Sequence, residues 1–141
     1  MTLENKKIVK NYINQVVNTG NTGLVPNFIS PYYVETLNHV TYKMGIEGAV
    51  NHIEGVRKTY PDLKLTVELQ IAEGEYVATC YTMRGHHFGE WMGIKPTGKH
   101  VAICGVNIDR VVDGKIVEHS GAANLLHTFV DIGAIKFKDQ A

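Results

Sequence analysis

Hydrophobic positions recur along this chain with two periods, one helical and one strand-like, and the changeover divides it into a helical first part and a β-rich remainder. Ile8, Val9, Tyr12, Ile13, Val16 and Val17 follow the i, i+4 spacing of a single face, which predicts an amphipathic helix over residues 5–19. The turn-rich run from Asn18 to Gly23 follows, and Asn21 or Thr22 can cap a short second helix through Phe28 that Pro31 ends. Tyr32, Tyr33, Val34, Glu35 and Thr36 are strand-type residues leading to the polar pair Asn38-His39. From Gly45, Ile46, Val50, Ile53, Val56 and Tyr60 return every three or four residues until Pro61 stops them, a third helix.

Beyond Pro61 the period changes to two. Leu63, Leu65, Val67, Leu69 and Ile71 alternate with Lys64, Thr66, Glu68 and Gln70, the pattern of a strand covered on one face. Glu73-Gly74-Glu75 supplies a turn, and residues 76–84 are semi-apolar on both faces, as expected of a central strand. In residues 100–112 the apolar phase shifts. Val101 and Ile103 occupy odd positions, Val106 and Ile108 even ones, and Gly105 between them is the natural place for a bulge that bends the sheet. Asp113-Gly114 turns the chain into a last strand, residues 116–126, and a short apolar tail around Phe129, Ile132 and Ile135 follows.

Three helices with one short strand, then a four-strand antiparallel meander, define an α+β fold. Helices laid over one face of a bent sheet make a cone-shaped α+β barrel that encloses a pocket; the alternative is the same frame with a solidly packed core. The 141 residues match a single domain, at about 150 residues per domain. Fourteen Lys+Arg balance fourteen Asp+Glu, so no basic stripe is left to bind nucleic acid. The N-terminal run lacks an apolar signal core, and no run of about 18 apolar residues occurs, which points to the cytoplasm and away from membranes. Cys80 and Cys104, each within an apolar run, are expected to be buried free thiols.

Seven histidines are present, yet none falls into a HExxH or cysteine-paired spacing, so no metal site is expected. Ser120 lacks the glycine-flanked elbow of a nucleophilic serine. The hairpin at Asp113-Gly114 carries more information, because its loop length decides which side chains share a face. A two-residue loop puts Arg110 with Val117, His119 and Ala123. A three-residue loop puts it with Ile116, Glu118, Ser120, Ala122 and Asn124, and this register is favoured because the guanidinium then gains a carboxylate and an amide. Arg110 shares its strand face with Val106 and Ile108, which directs it toward apolar surroundings, where an unpaired charge costs several kcal/mol. Arg110 and Glu118 are therefore either a structural ion pair or, with Asn124 and small neighbours such as Ser120, the lining of a cavity.

Three separated segments carry a family resemblance: Tyr60-Pro61-Asp62-Leu63, the glycine-rich run from Gly85 through His87, Gly89-Glu90, Gly93-Ile94 and Pro96 to Lys99, and Arg110-Val111-Val112-Asp113-Gly114-Lys115-Ile116-Val117-Glu118-His119. The sequence resembles the SnoaL-like polyketide cyclases over nearly its whole length. That resemblance implies the α+β cone of the nuclear transport factor two-like superfamily, homodimers, and an intramolecular aldol ring closure driven by an aspartate late in the last strand, with neither metal nor cofactor. In this chain that position matches Asn124, which cannot act as a general base, and the assisting histidine of the family matches Arg110. Ser120 stands where the family commonly has tryptophan. Glu118, His87 and His39 are the groups that can restore acid/base chemistry here, with Arg110 and Asn124 stabilising an enolate oxygen.

These expectations define a small, largely apolar carbonyl ligand, catalytic Glu118, His87 and Asn124, and a binding wall of Arg110, Asn124, His39, Tyr33, Trp91 and Ser120. Two other outcomes remain open: a pocket that binds without catalysis, and a dimerisation module whose core is closed by Trp91, Phe88 and Met92.

Overall fold

The computed structural model describes residues 1–138. Helix α1 spans Thr2–Tyr12 and continues through a wide turn at Ile13–Val17, where the Asn18 amide donates to the Ile13 carbonyl five residues back. A tight turn at Thr22–Leu24 and a four-residue helix α2, Val25–Phe28, lead directly into strand β1, Ile29–Leu37. The short second helix thus ends at Phe28, as expected from the sequence. Asn38 and His39, at φ +50° and +66°, turn β1 into a strand not foreseen from sequence, β2, Val40–Lys43. Helix α3 occupies Gly45–Thr59. The meander follows as β3 (Lys64–Glu73), β4 (Tyr76–His86), β5 (His100–Val112) and β6 (Lys115–Ala123), and the apolar tail begins with a short helix α4, Leu126–Asp131.

The six strands form one sheet in the order β2-β1-β6-β5-β4-β3, antiparallel except where β1 runs parallel to β6. Its inner face packs on the helices through Val9, Ile13, Val16, Ile29, Ile53, Val77 and Ile116. Helix α1 is pinned to β3 by the Asn18 amide, which bonds both backbone groups of Leu65 at 2.7 and 2.9 Å. A second apolar cluster around Tyr60, Leu63, Met83, Val101 and Ile132 closes the other end of the cone.

The hairpin registers resolve in an unexpected way. Asp113 and Gly114, at φ +49° and +77°, make a two-residue turn with Val112 opposite Lys115. The register then shifts, so that Val111 faces Ile116 but Arg110 faces Glu118, leaving Val117 as one extra residue on β6. The loop is the shorter of the two considered, while the pairing of Arg110 is that of the longer one. The extra residue also reverses the face on which the rest of β6 presents its side chains: Ile116 and His119 both point inward. No bulge occurs at Gly105, which sits in unbroken register opposite Tyr81. The phase change in β5 has another cause. Its inner face is apolar at Val101 and Ile103 but polar at Asn107 and Asp109, while Val106 and Ile108 lie on the outer face, each more than a third exposed.

The outer face of the sheet is correspondingly bare. Leu69, Ile71, Tyr76, Val106 and Ile108 are exposed there. The two cysteines also differ from expectation: both are free, but Cys104 is exposed and Cys80 half-buried, because both occupy outward positions on β5 and β4.

Candidate active site

The cone is hollow, which excludes the filled-core alternative. A cavity of about 180 Å³ lies between the helices and the inner face of the sheet. Most of its wall is hydrocarbon, from α1, α3 and the strands, including Val9, Ile13, Ile53, Leu65, Met83 and Ile116. Its polar groups converge from helices α1 and α3 and strands β1, β4, β5 and β6.

Asp109 of β5, His119 of β6 and Glu35 of β1 form one row across three neighbouring strands, since His119 is the register partner of both carboxylates. Asp109 is buried and its Oδ1 lies 2.7 Å from Nδ1 of His119. An ionised carboxylate only accepts, so Nδ1 carries the hydrogen and Nε2 is the nitrogen left for a ligand. Glu35 accepts from His52 Nδ1 at 2.9 Å and from the Tyr33 hydroxyl at 2.8 Å. His52 belongs to α3 and its ring stands edge-on to that of His119, 6.4 Å between centres. The cavity therefore holds two carboxylate-bound imidazoles.

Burial and charge set the protonation of these groups. Burial alone pushes His119 down, but the Asp109 charge and hydrogen bond, with Glu35 adding, outweigh it and raise the imidazole above its ordinary 6.5. Burial works to raise Glu35; the hydrogen bond and charge of His52, the Tyr33 hydroxyl and the charge of His119 reverse that and hold it below its ordinary 4.5. Burial first, then the neighbouring carboxylates, keep the hydroxyls of Tyr12 and Tyr33 protonated far beyond the usual phenol range.

Two glycines make room for this wall. A methyl group at Gly121 would fall 2.6 Å from Asn107 Oδ1, and one at Gly105 would fall 2.5 Å from the Tyr81 hydroxyl. Arg57 also borders the cavity, but its guanidinium is spent on the carbonyls of Val17 and Pro61, each at 3.1 Å.

Of the residues singled out from sequence, only Tyr33 lines this cavity. Arg110 points to the outer face, where it binds Glu75 at 3.0 Å and Glu118 at 4.0 Å, so the structural ion pair is what forms. Glu118 and Ser120 share that outer face, opposite Arg110 and Ile108. Asn124 lies exposed just past β6, its amide donating to the Cys104 carbonyl. His39 sits exposed at the β1–β2 turn. His87 is fully buried under the glycine-rich loop, with Nδ1 3.1 Å from the Thr97 hydroxyl, and Trp91 stacks on Phe129 of α4 at 5.0 Å. Neither borders the cavity; both anchor the loop to the second apolar cluster. Phe88 and Met92 are exposed rather than folded into a pocket mouth.

The residues missed were Asp109, His119, Glu35 and His52. A signal existed for the last: His52 is in helical phase with Ala49, Ile53 and Val56, all cavity residues. The extra residue at Val117, which turns His119 inward, carries no glycine or other mark. Among the described residues no group of three or more His, Cys, Asp or Glu is placed to hold a metal ion.

Helices packed on a curved sheet around a hollow that holds acid/base groups place the chain in the α+β barrel class. The sequence profile of the SnoaL-like polyketide cyclases matches residues 7–132, and the chain belongs to that family. It is 30% identical over 119 residues to nogalonic acid methyl ester cyclase of Streptomyces nogalater, covering 82% of this chain and 88% of that one. Aklanonic acid methyl ester cyclase AcmA of Streptomyces galilaeus is 29% identical over 122 residues, 84% of each chain. Among solved structures, AclR of Streptomyces galilaeus, described provisionally as a hydroxylase, superposes with a TM-score of 0.85 at 30% identity, covering 96% of this chain and all of that one.

Proposed function

We propose that this protein is an acid/base ring-closing enzyme acting on an aromatic carbonyl compound, with His119, oriented by Asp109, handling the proton. The observation that carries the reading is the 2.7 Å Asp109–His119 pair inside an apolar cavity. A cationic imidazole there stabilises charge developing on a carbonyl oxygen far better than it does in water. Asn124, the position expected to carry the family's late-strand aspartate, lies off the cavity, and in this reading the Asp109–His119 pair takes over the proton handling. Tyr12, kept protonated, and Asn107 are the further hydrogen-bonding groups for substrate oxygens, while the Tyr33 hydroxyl is held by Glu35. An apolar cavity of about 150 Å³ takes one benzene ring. The 180 Å³ here thus suits the reacting ring, with the rest of a polycyclic substrate in the mouth beside His52.

The bare outer sheet face supports a second part of the proposal, a homodimer formed by two copies pairing that face. Its exposed Leu69, Ile71, Val106 and Ile108 form an apolar patch of the kind that marks an interaction surface, and zero net charge leaves no long-range repulsion between copies. Val106→Lys is expected to yield monomers in sedimentation; an unchanged oligomer assigns the interface elsewhere. Two free thiols fit the reducing cytoplasm, where we place the protein; among the described residues no helix is long and apolar enough to cross a membrane.

The test is incubation with nogalonic acid methyl ester and with aklanonic acid methyl ester, followed by mass spectrometry of the products. Ring closure gives an isomer of unchanged mass. A product one oxygen heavier, matching the description of AclR, or recovery of both esters unchanged, overturns the proposal.

A further inference from the structure

The Asp109–His119 pair supplies one proton-handling group, but a ring closure by aldol addition moves two protons: one leaves carbon and one arrives at oxygen. The second carboxylate–imidazole pair in the cavity has no part in the reading above. His52 Nδ1 is bonded to Glu35, whose other hydrogen-bond partner, Tyr33, donates to the same oxygen, so the carboxylate is held from two sides. Because Nδ1 carries the hydrogen, the lone pair of Nε2 is the free basic site of the His52 ring. The ring borders the cavity on one side and a shallow surface groove with Lys43, Glu47 and Asn51 on the other, and its side chain is 44% exposed. The two imidazoles stand close enough to face opposite ends of one substrate ring.

We propose that the two imidazoles divide the reaction, with His52 the base that takes the carbon proton and His119 the acid that protonates the new alkoxide. This deepens the ring-closure reading and rests on it. His52 Nε2 removes a proton from the carbon beside a substrate carbonyl, and the electron pair passes into the enolate. The enolate carbon forms the new C–C bond to a second carbonyl carbon, whose C=O π pair moves onto oxygen. His119 Nε2–H protonates that oxygen. His52 is left cationic and His119 neutral, and Glu35, bonded to one ring and opposite the other in register, is the group between them across which the proton returns.

The environment favours this division over its reverse. Asp109 and Glu35 both face His119 and stabilise its cation. Around His52 stand Glu35 and Tyr33 of β1, His119 with Asp109 behind it, Tyr12 of α1 and Arg57 of its own helix, with Lys43 and Glu47 at the mouth. His119 has two carboxylates in register with it and His52 is bonded to one, so the cationic role of the acid falls to His119.

The proposal predicts that kcat/KM for nogalonic acid methyl ester is bell-shaped, falling at low pH as His52 protonates and at high pH as His119 loses its proton. His52→Gln is expected to lower kcat by about 10²- to 10⁴-fold and to abolish the low-pH limb while keeping the high-pH one. His52→Ala, which opens a void to solvent, is expected to regain activity with added imidazole, which a merely structural role does not explain. Activity of His52→Gln within about threefold of wild type, or a loss that leaves both limbs in place, overturns the division of roles, while an inactive His119→Gln in the same series still upholds the ring-closure reading. Independently of any substrate, NMR titration of the ring protons should find His119 still protonated above 6.5, as the acid must be, and titration at or below 6.5 overturns the proposal.

Discussion

Replacing Asp109 by asparagine removes the charge beside His119 and keeps nearly the same shape. A hydrogen bond to a charged partner contributes about 1.5–3 kcal/mol. That contribution favours the imidazolium, so the imidazole is expected to titrate at lower pH in Asp109→Asn than in wild type. The contact that sets this is the 2.7 Å Nδ1–Oδ1 bond to a carboxylate that is itself buried. The same energy appears in stability. A group whose folded-state pKa is raised contributes stability below its unfolded value, and that contribution is lost as pH rises through the folded value. Wild type is therefore expected to lose stability as pH climbs from about 6 to about 9, and Asp109→Asn to lose less over the same range. NMR titration of the His119 ring proton gives the first quantity, and urea unfolding at the two pH values the second. A wild-type His119 that titrates at or below 6.5, or one indifferent to the substitution, refutes the reasoning.

Three further outcomes follow from particular contacts. Glu35 sits below its ordinary 4.5, so its stabilisation is present above that value and lost as pH falls through the folded pKa; Glu35→Gln should flatten the acid side of the stability profile, and an unchanged acid slope contradicts the His52–Glu35–Tyr33 contacts. Gly121→Ala forces its new methyl group against Asn107 and is expected to cost about 1–3 kcal/mol by urea unfolding, whereas a neutral result shows that Asn107 has room to move. His87→Ala should lower stability by about 1–3 kcal/mol, because the ring is buried beneath the glycine-rich loop, yet leave kcat unchanged; a loss of turnover in folded protein returns His87 to the chemistry.

The frame was legible because it rests on periodicity. Helix α3 and strand β3 are each announced by five residues in phase, and each forms within two residues of its expected bounds, although a bulge between Val67 and Leu69 turns Leu69 and Ile71 to the outer face. Strand β2 was missed although Asn38-His39 is a serviceable two-residue turn, because Val40–Lys43 is too short and exposed to show alternation. The site was read from the wrong side of the sheet for a physical reason. Apolar residues on a strand ordinarily mark its buried face, but in β5 the buried face gives up hydrocarbon to carry Asn107 and Asp109, and the solvent face keeps Val106 and Ile108. Alternation alone then assigns Arg110 to the interior and Asp109 to the exterior, the reverse of what forms. The extra residue at Val117 compounds this by turning His119 inward, out of step with Val117 and Glu118. Tyr33 escaped the error because β1 keeps its apolar phase through Ile29 and Tyr33 to the site.

The direct test of the account is a comparison of ring-closure rates for inner-face and outer-face variants measured side by side with nogalonic acid methyl ester. His119→Gln and Asp109→Asn are expected to be slowed, the first by about 10²- to 10⁴-fold, while Arg110→Ala and Asn124→Ala stay within about threefold of wild type. The opposite ranking, with the outer pair slowed and the inner pair active, would place the chemistry on the other side of the sheet and contradict the account.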